Sequence, residues 1–194
     1  MKRSLFSYCS VLSGCLAFSL LAQAQTLTVT TNLQLWLKAD AGVTDDGSGN
    51  VLAWADQSPS PDAATQVAAS PDAPNAPVLV PAALNGKPVL RFDGVDDYMS
   101  IPDTASLSIT GDITTFFVVR FDDFENYRVV WAKTNSNLPA PTDYYTQPAA
   151  TGRPGRPQVY RGDGTVGQLA AFESTVPLTA GTYQTVGFGM EGTT

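Results

Sequence analysis

The chain has 194 residues, with 11 Lys and Arg against 18 Asp and Glu, no His, and a formal net charge of −7. The lack of His excludes Ser-His-Asp and Cys-His nucleophilic catalysis, His-ligated zinc and imidazole-based pH switching. The acid surplus argues against nucleic acid and anionic membranes as partners, and is compatible with neutral sugars and with calcium. Fifteen of the acids are Asp and only Glu125, Glu173 and Glu191 are Glu. Asp favours turns and strand ends where Glu favours helices, so the skew predicts a loop-rich β protein.

Residues 1–24 read as a secretory signal peptide. Lys2 and Arg3 form the positive start, an apolar run from Leu5 to Leu21 follows, and Ala22-Gln23-Ala24 is the cleavage signal. The mature domain is then 25–194, with nine basic and 18 acidic residues and a net charge of −9. Both cysteines, Cys9 and Cys15, fall in the leader, so no disulfide is expected in the mature domain. Leu12-Ser13-Gly14-Cys15 also matches a lipoprotein signal, which would lipidate Cys15 and keep the protein on a membrane surface. No later stretch approaches the roughly 20 apolar residues that span a bilayer, so no transmembrane segment is predicted.

Beyond the leader the apolar residues come in short runs broken by Gly, Pro, Asn and Asp, with no sustained helical period. Leu33 to Lys38 alternates as a half-buried strand. Asp45 to Asn50 is a turn, and Val51 to Trp54 a strand after it. Ser58 to Pro77 reads as a long irregular loop and Val78 to Val80 as a short strand. Asn85-Gly86 is a strong hairpin signal, because both residues tolerate positive φ. Strand Pro88 to Phe92 follows, then a turn at Asp93 to Asp97 and strand Tyr98 to Ile101. Asp112 to Phe121 is rich in β-branched and aromatic residues, which predicts a central strand buried on both faces. Tyr127 to Ala132 is a further strand and Asn135 to Pro157 an extended loop. Gln158 to Tyr160, Gln168 to Phe172 and Thr182 to Met190 complete some ten strands. The pattern is all-β, a two-sheet antiparallel sandwich or jelly roll.

Two candidate sites stand out. Asp93, Asp96 and Asp97 put three carboxylates around one tight turn, a partial ligand set for calcium, which takes six to eight oxygens. The same residues equally serve as turn formers. In the Asn135 to Pro157 loop, Tyr144 and Tyr145 offer flat faces with hydroxyl tips, suited to a sugar ring. Arg153 and Arg156 supply donors for hydroxyls or an acidic sugar. Weaker features are the Asp45 to Asn50 turn, which lacks the Gly and Glu of a calcium loop, and the tripeptide Arg161-Gly162-Asp163, a receptor-recognition triplet that also occurs by chance. Trp36, Trp54 and Trp131 read as core. Asp122, Asp123 and Glu125 lie too close in one turn to act as a catalytic pair across a cleft.

Leu35-Trp36-Leu37-Lys38-Ala39-Asp40, the Trp54-x-Asp56-Gln57-Ser58 stretch and, most specifically, Phe92-Asp93-Gly94-Val95-Asp96-Asp97-Tyr98 together resemble bacterial laminin-G-like, concanavalin A-like domains. Pro59 stands where such domains usually carry Gly. The resemblance runs from Leu33 to Met190. It implies a jelly roll, exported or surface-displayed, that binds a glycan or an extracellular protein, in some members with calcium. Members continue with strands beyond the segment matching Thr182 to Met190, so the chain is expected to be either a fragment of a longer protein, the favoured reading, or a sandwich that is incomplete with an unpaired edge. The Glu-x-Asp-x-Glu strand of the jelly-roll glycoside hydrolases has no counterpart here. The expected function is therefore a non-catalytic binding module. A structural or adhesive spacer is the alternative, and a polysaccharide-active enzyme a more distant one.

Overall fold

A computed structural model describes residues 30–59, 66–69, 75–125, 128–133, 143–148, 152–162 and 169–192. The leader, with Cys9 and Cys15, lies outside them. Among the described residues there are twelve strands, a 3-10 turn at Ala105–Leu107 and no α-helix. Every strand pairing is antiparallel.

The N-terminal half is a four-stranded sheet and a hairpin. β1 (Val43–Asp45), β2 (Val51–Ala55), β3 (Gln66–Ala69) and β6 (Met99–Ser100) pair in that order. β2 alternates as a half-buried strand should, with Val51 and Ala53 buried and Leu52 exposed. β4 (Val78–Leu84) and β5 (Lys87–Arg91) form the hairpin at Asn85-Gly86, where φ values of 51° and 74° meet the demand of a two-residue turn. The hairpin joins the sheet through Val51 N–H to Pro77 O and Leu79 N–H to Gly49 O, both 2.8 Å.

The C-terminal half carries the main core. β8 (Trp131–Lys133), β9 (Tyr144–Pro148), β10 (Pro157–Gly162) and β11 (Leu169–Glu173) form a second four-stranded sheet in sequential order. β7 (Ile113–Val119) pairs with β12 (Gln184–Met190) in full register from Ile113↔Met190 to Val119↔Gln184. The inward residues of the two units meet in one cluster. Ile113 and Met190 come from the β7–β12 pair and Tyr144 and Val159 from the sheet, with Trp131, Phe188 and Ile109 packed around them. The Trp131 ring lies 4.8 Å from Tyr144 and 6.4 Å from Phe117.

Several expectations need correction. Leu33 to Lys38 is not a strand. Its backbone is held from the side instead: Trp36 N–H donates to Asp56 Oδ1 at 2.8 Å, and Trp36 O accepts from Gln57 N–H at 2.8 Å. The irregular loop expected over Ser58 to Pro77 contains β3, whose Ala68 and Ala69 carry weak strand propensity and pair because β2 and β6 flank them. β7 is not buried on both faces. Ile113 and Phe117 point inward, while Phe116 and Val118 are 75% and 62% exposed. The Asn135 to Pro157 loop contains β9, so Tyr144 and Tyr145 sit on a strand inside a sheet.

Candidate functional site

Alternation along β9 and β10 sorts the residues onto opposite faces. Tyr144 and Thr146 face the core, as do Val159 and Arg161. Tyr145 and Gln147, with Gln158 and Tyr160, face away from it. Tyr144 is fully buried, donates its hydroxyl to Leu107 O at 2.5 Å and has its pKa pushed up to about 12 by burial. It therefore presents no face to a ligand. Arg161 is also buried, at 4% exposure, with its guanidinium donating to Glu191 O (3.1 Å) and Ile109 O (2.9 Å). A receptor reading the Arg161-Gly162-Asp163 triplet would need that side chain outside. Asp163 lies beyond the described residues.

The outward face holds the other predicted residues. Register places Tyr145 directly opposite Tyr160, and the two rings stack with centroids 4.4 Å apart and planes 11° from parallel. Burial raises the Tyr145 pKa first, and the neighbouring Tyr160 second. On the other side Tyr145 faces exposed Ala132 of β8, a residue too small to cover the ring. From the stack a continuous polar chain runs across the sheet. Tyr160 donates its hydroxyl to Gln158 Oε1 (2.9 Å), and Gln158 Nε2 donates to Glu173 Oε2 (2.8 Å). Glu173 Oε1 then meets Arg153 Nη1 at 3.0 Å and Arg156 Nη1 at 3.6 Å.

The two arginines stand on the turn between β9 and β10, and that turn is packed. Gly155 adopts φ +79°. A Cβ there would come within 2.8 Å of the Phe124 ring and 3.1 Å of Leu178 O, so only glycine fits. Leu178 N–H closes onto Gly155 O at 2.9 Å. The structure thus unites Tyr145, Arg153 and Arg156, separates Tyr144 from them, and adds Tyr160, Gln158 and Glu173. The period-two spacing of Gln158 and Tyr160 is visible in the sequence. Their partnership with Tyr145 depends on the β9–β10 register, which the sequence does not announce.

The Asp93 turn is built as a turn. Asp93 Oδ1 accepts from the N–H groups of Val95 (2.8 Å), Asp96 (3.2 Å) and Asp97 (3.4 Å), and Asp97 Oδ2 accepts from Asp93 N–H (2.7 Å). Arg128 locks the turn from outside, donating to Gly94 O (2.5 Å) while gripping Asp123 through Nε and Nη2. The Val95 N–H bond leads in holding the Asp93 pKa below its usual value. Asp97 is pushed the other way, by partial burial and by the charges of Asp93 and Asp96. One carboxylate oxygen from each of the three Asp residues can lie within 4.8 Å of the others, a spacing calcium tolerates. Outside the turn bonds remain one oxygen each of Asp93 and Asp97 and the Asp96 carboxylate, which is half of a calcium shell. The donor set fits the ion in part, and the turn is complete without it.

Elsewhere several acids are engaged by neighbours. Asp122 bridges Arg91 (3.2 Å) and Arg120 (2.9 Å), and Asp123 holds Arg128. In the Asp45 to Asn50 turn, Asp46 caps Ser48 N–H and Asn50 N–H. Trp54 Nε1 donates to Lys38 O at 2.8 Å, and Lys38 lies over the Trp36 ring. No helix among the described residues is long and apolar enough to cross a membrane. Comparison with protein-family models, with curated proteins and with solved structures found no match.

Proposed function

We propose that the protein is an exported, non-catalytic binding module with a two-sheet jelly-roll sandwich of the laminin-G-like, concanavalin A-like kind. In this reading it takes carbohydrate on the outward face of β9, β10 and β11. The observation that carries the reading is the Tyr145–Tyr160 stack and its polar border. A sugar ring has one face of C–H groups and a rim of hydroxyls. Such a ligand needs a flat apolar platform with a few fixed donors and acceptors beside it. The Tyr145–Tyr160 stack offers the platform, and on its Tyr160 side Gln158, Glu173 and the two arginines offer the rim contacts. Tyr145, Tyr160, Gln158 and Glu173 are already held by neighbours, so little ordering of them remains to be done on binding.

A glycan array probed with the purified protein tests this. Retention of one or a few glycans, weakened at least about tenfold by Tyr145→Ala and by Tyr160→Ala, is expected. Loss of that size is ordinary for truncating a binding-site tyrosine worth more than about 1.4 kcal/mol. The thermal midpoint of each variant should stay within a few degrees of the parent, because both rings lie outside the core. An array with no glycan above background would sink the carbohydrate reading and leave the spacer of a larger surface protein in its place.

A further inference from the structure

The charge count along the polar chain identifies the kind of sugar, resting on the binding face just proposed. Two guanidiniums share one carboxylate: Arg153 and Arg156 both approach Glu173 Oε1, and Gln158 occupies Oε2. Glu173 cancels one of the two positive charges, so the cluster carries a net +1 in a chain whose formal net charge is −7. The surplus lies on the exposed side. Glu173 is 16% exposed and Arg156 33%, but Arg153 is 63% exposed. An ion pair that open to solvent contributes little, so Arg153 can turn from Glu173 to a ligand at small cost. Its position is nonetheless fixed, because Gly155 anchors the turn against Phe124 and Leu178. We infer that the face recognises an anionic polysaccharide. A sugar ring would lie at the Tyr145–Tyr160 stack, and its carboxylate or sulfate would be taken by Arg153, with Arg156 behind it.

The two anion chemistries share this recognition and are separated by the test. Binding of the purified protein is measured to polygalacturonate and to its fully methyl-esterified form, and to dextran sulfate and to plain dextran. The charged member of one pair, or of both, should be retained and its neutral counterpart should not. The pair that responds shows whether carboxylate or sulfate is read. Because the protein is acidic overall, attraction to a polyanion cannot come from its net charge. Arg153→Gln should weaken the interaction about tenfold or more, the loss of one charge-assisted contact. Glu173→Gln removes the competing carboxylate and should tighten it. Arg120→Gln, at the separate Asp122 pair, should leave it unchanged. Retention of neutral and charged forms alike, or indifference to both Arg153→Gln and Glu173→Gln, would overturn the anion inference and leave the carbohydrate reading standing. Retention of none of the four polymers, with neutral glycans bound on the array, overturns the inference alone. A blank array as well overturns both.

Discussion

At the scale of single residues, the tyrosine pair shows how much one step along a strand decides. Tyr144 and Tyr145 are chemically alike and adjacent, yet alternation sends one into the core and the other onto the candidate face. A sequence window sees two equivalent tyrosines, and only the identity of the flanking strands assigns their sides. Tyr144 makes a two-sided prediction. Tyr144→Phe removes the donor to Leu107 O and leaves that carbonyl poorly satisfied, so the variant should be less stable at pH 7 by about 1–2 kcal/mol. The tyrosine's folded pKa is raised from 10 to about 12. Its stabilising contribution is therefore whole below pH 10 and lost as pH rises through 12. Phe has no such proton to lose, so the gap between variant and parent should close between pH 10 and 12. Denaturant titrations at pH 7, 10 and 11.5 measure it. A gap that stays constant to pH 11.5 would mean the hydroxyl does not titrate with the fold.

At the scale of elements, turns were more legible than strands. Asn85-Gly86 and Asp93 to Asp97 act locally, through φ preference and short-range capping, so their residues carry the information themselves. β3 and β9 take their structure from neighbours: Ala-rich β3 lies between β2 and β6, and β9 between β8 and β10. β7 misled in the opposite direction. Its continuous apolar run imitates a fully buried strand, while Phe116 in fact lies on the exposed side over Gly187 of β12. The Asp93 turn carries a prediction of its own. Asp97 has a raised pKa, so its ionisation opposes folding at neutral pH and the penalty vanishes as pH falls below the carboxylate range. Asn keeps an acceptor for Asp93 N–H and removes the charge. Asp97→Asn should melt slightly higher than the parent at pH 7 and at the same temperature at pH 2.5. Since the turn closes on its own hydrogen bonds, calcium and chelator should give the parent one midpoint. A calcium-dependent rise of several degrees, abolished by Asp97→Asn, would instead make the turn a metal site.

At the scale of the whole molecule, composition says when charge can matter to the fold. With no His, few groups change ionisation between pH 5 and 7, so stability there should be level. Below that range several carboxylates act together. Asp40 is held below its usual pKa chiefly by the Lys87 contact, Asp46 by the Asn50 side chain, Asp93 by Val95 N–H and Asp123 by Glu125 N–H, with Arg128 second. A depressed carboxylate contributes stability that is present above its unfolded pKa and lost as pH falls through the folded value. Four act in this sense and Asp97 alone against them, so the thermal midpoint should fall as pH drops through and below the usual carboxylate range. Part of the effect rests on exposed pairs, Lys87–Asp40 foremost and Arg128–Asp123 second, which salt screens. The acid limb should therefore be shallower at 1 M than at 0.05 M salt. A sloping midpoint between pH 5 and 7 at both salt concentrations would mean that a carboxylate with a strongly raised pKa governs the fold. The net charge would then be secondary to one buried acid.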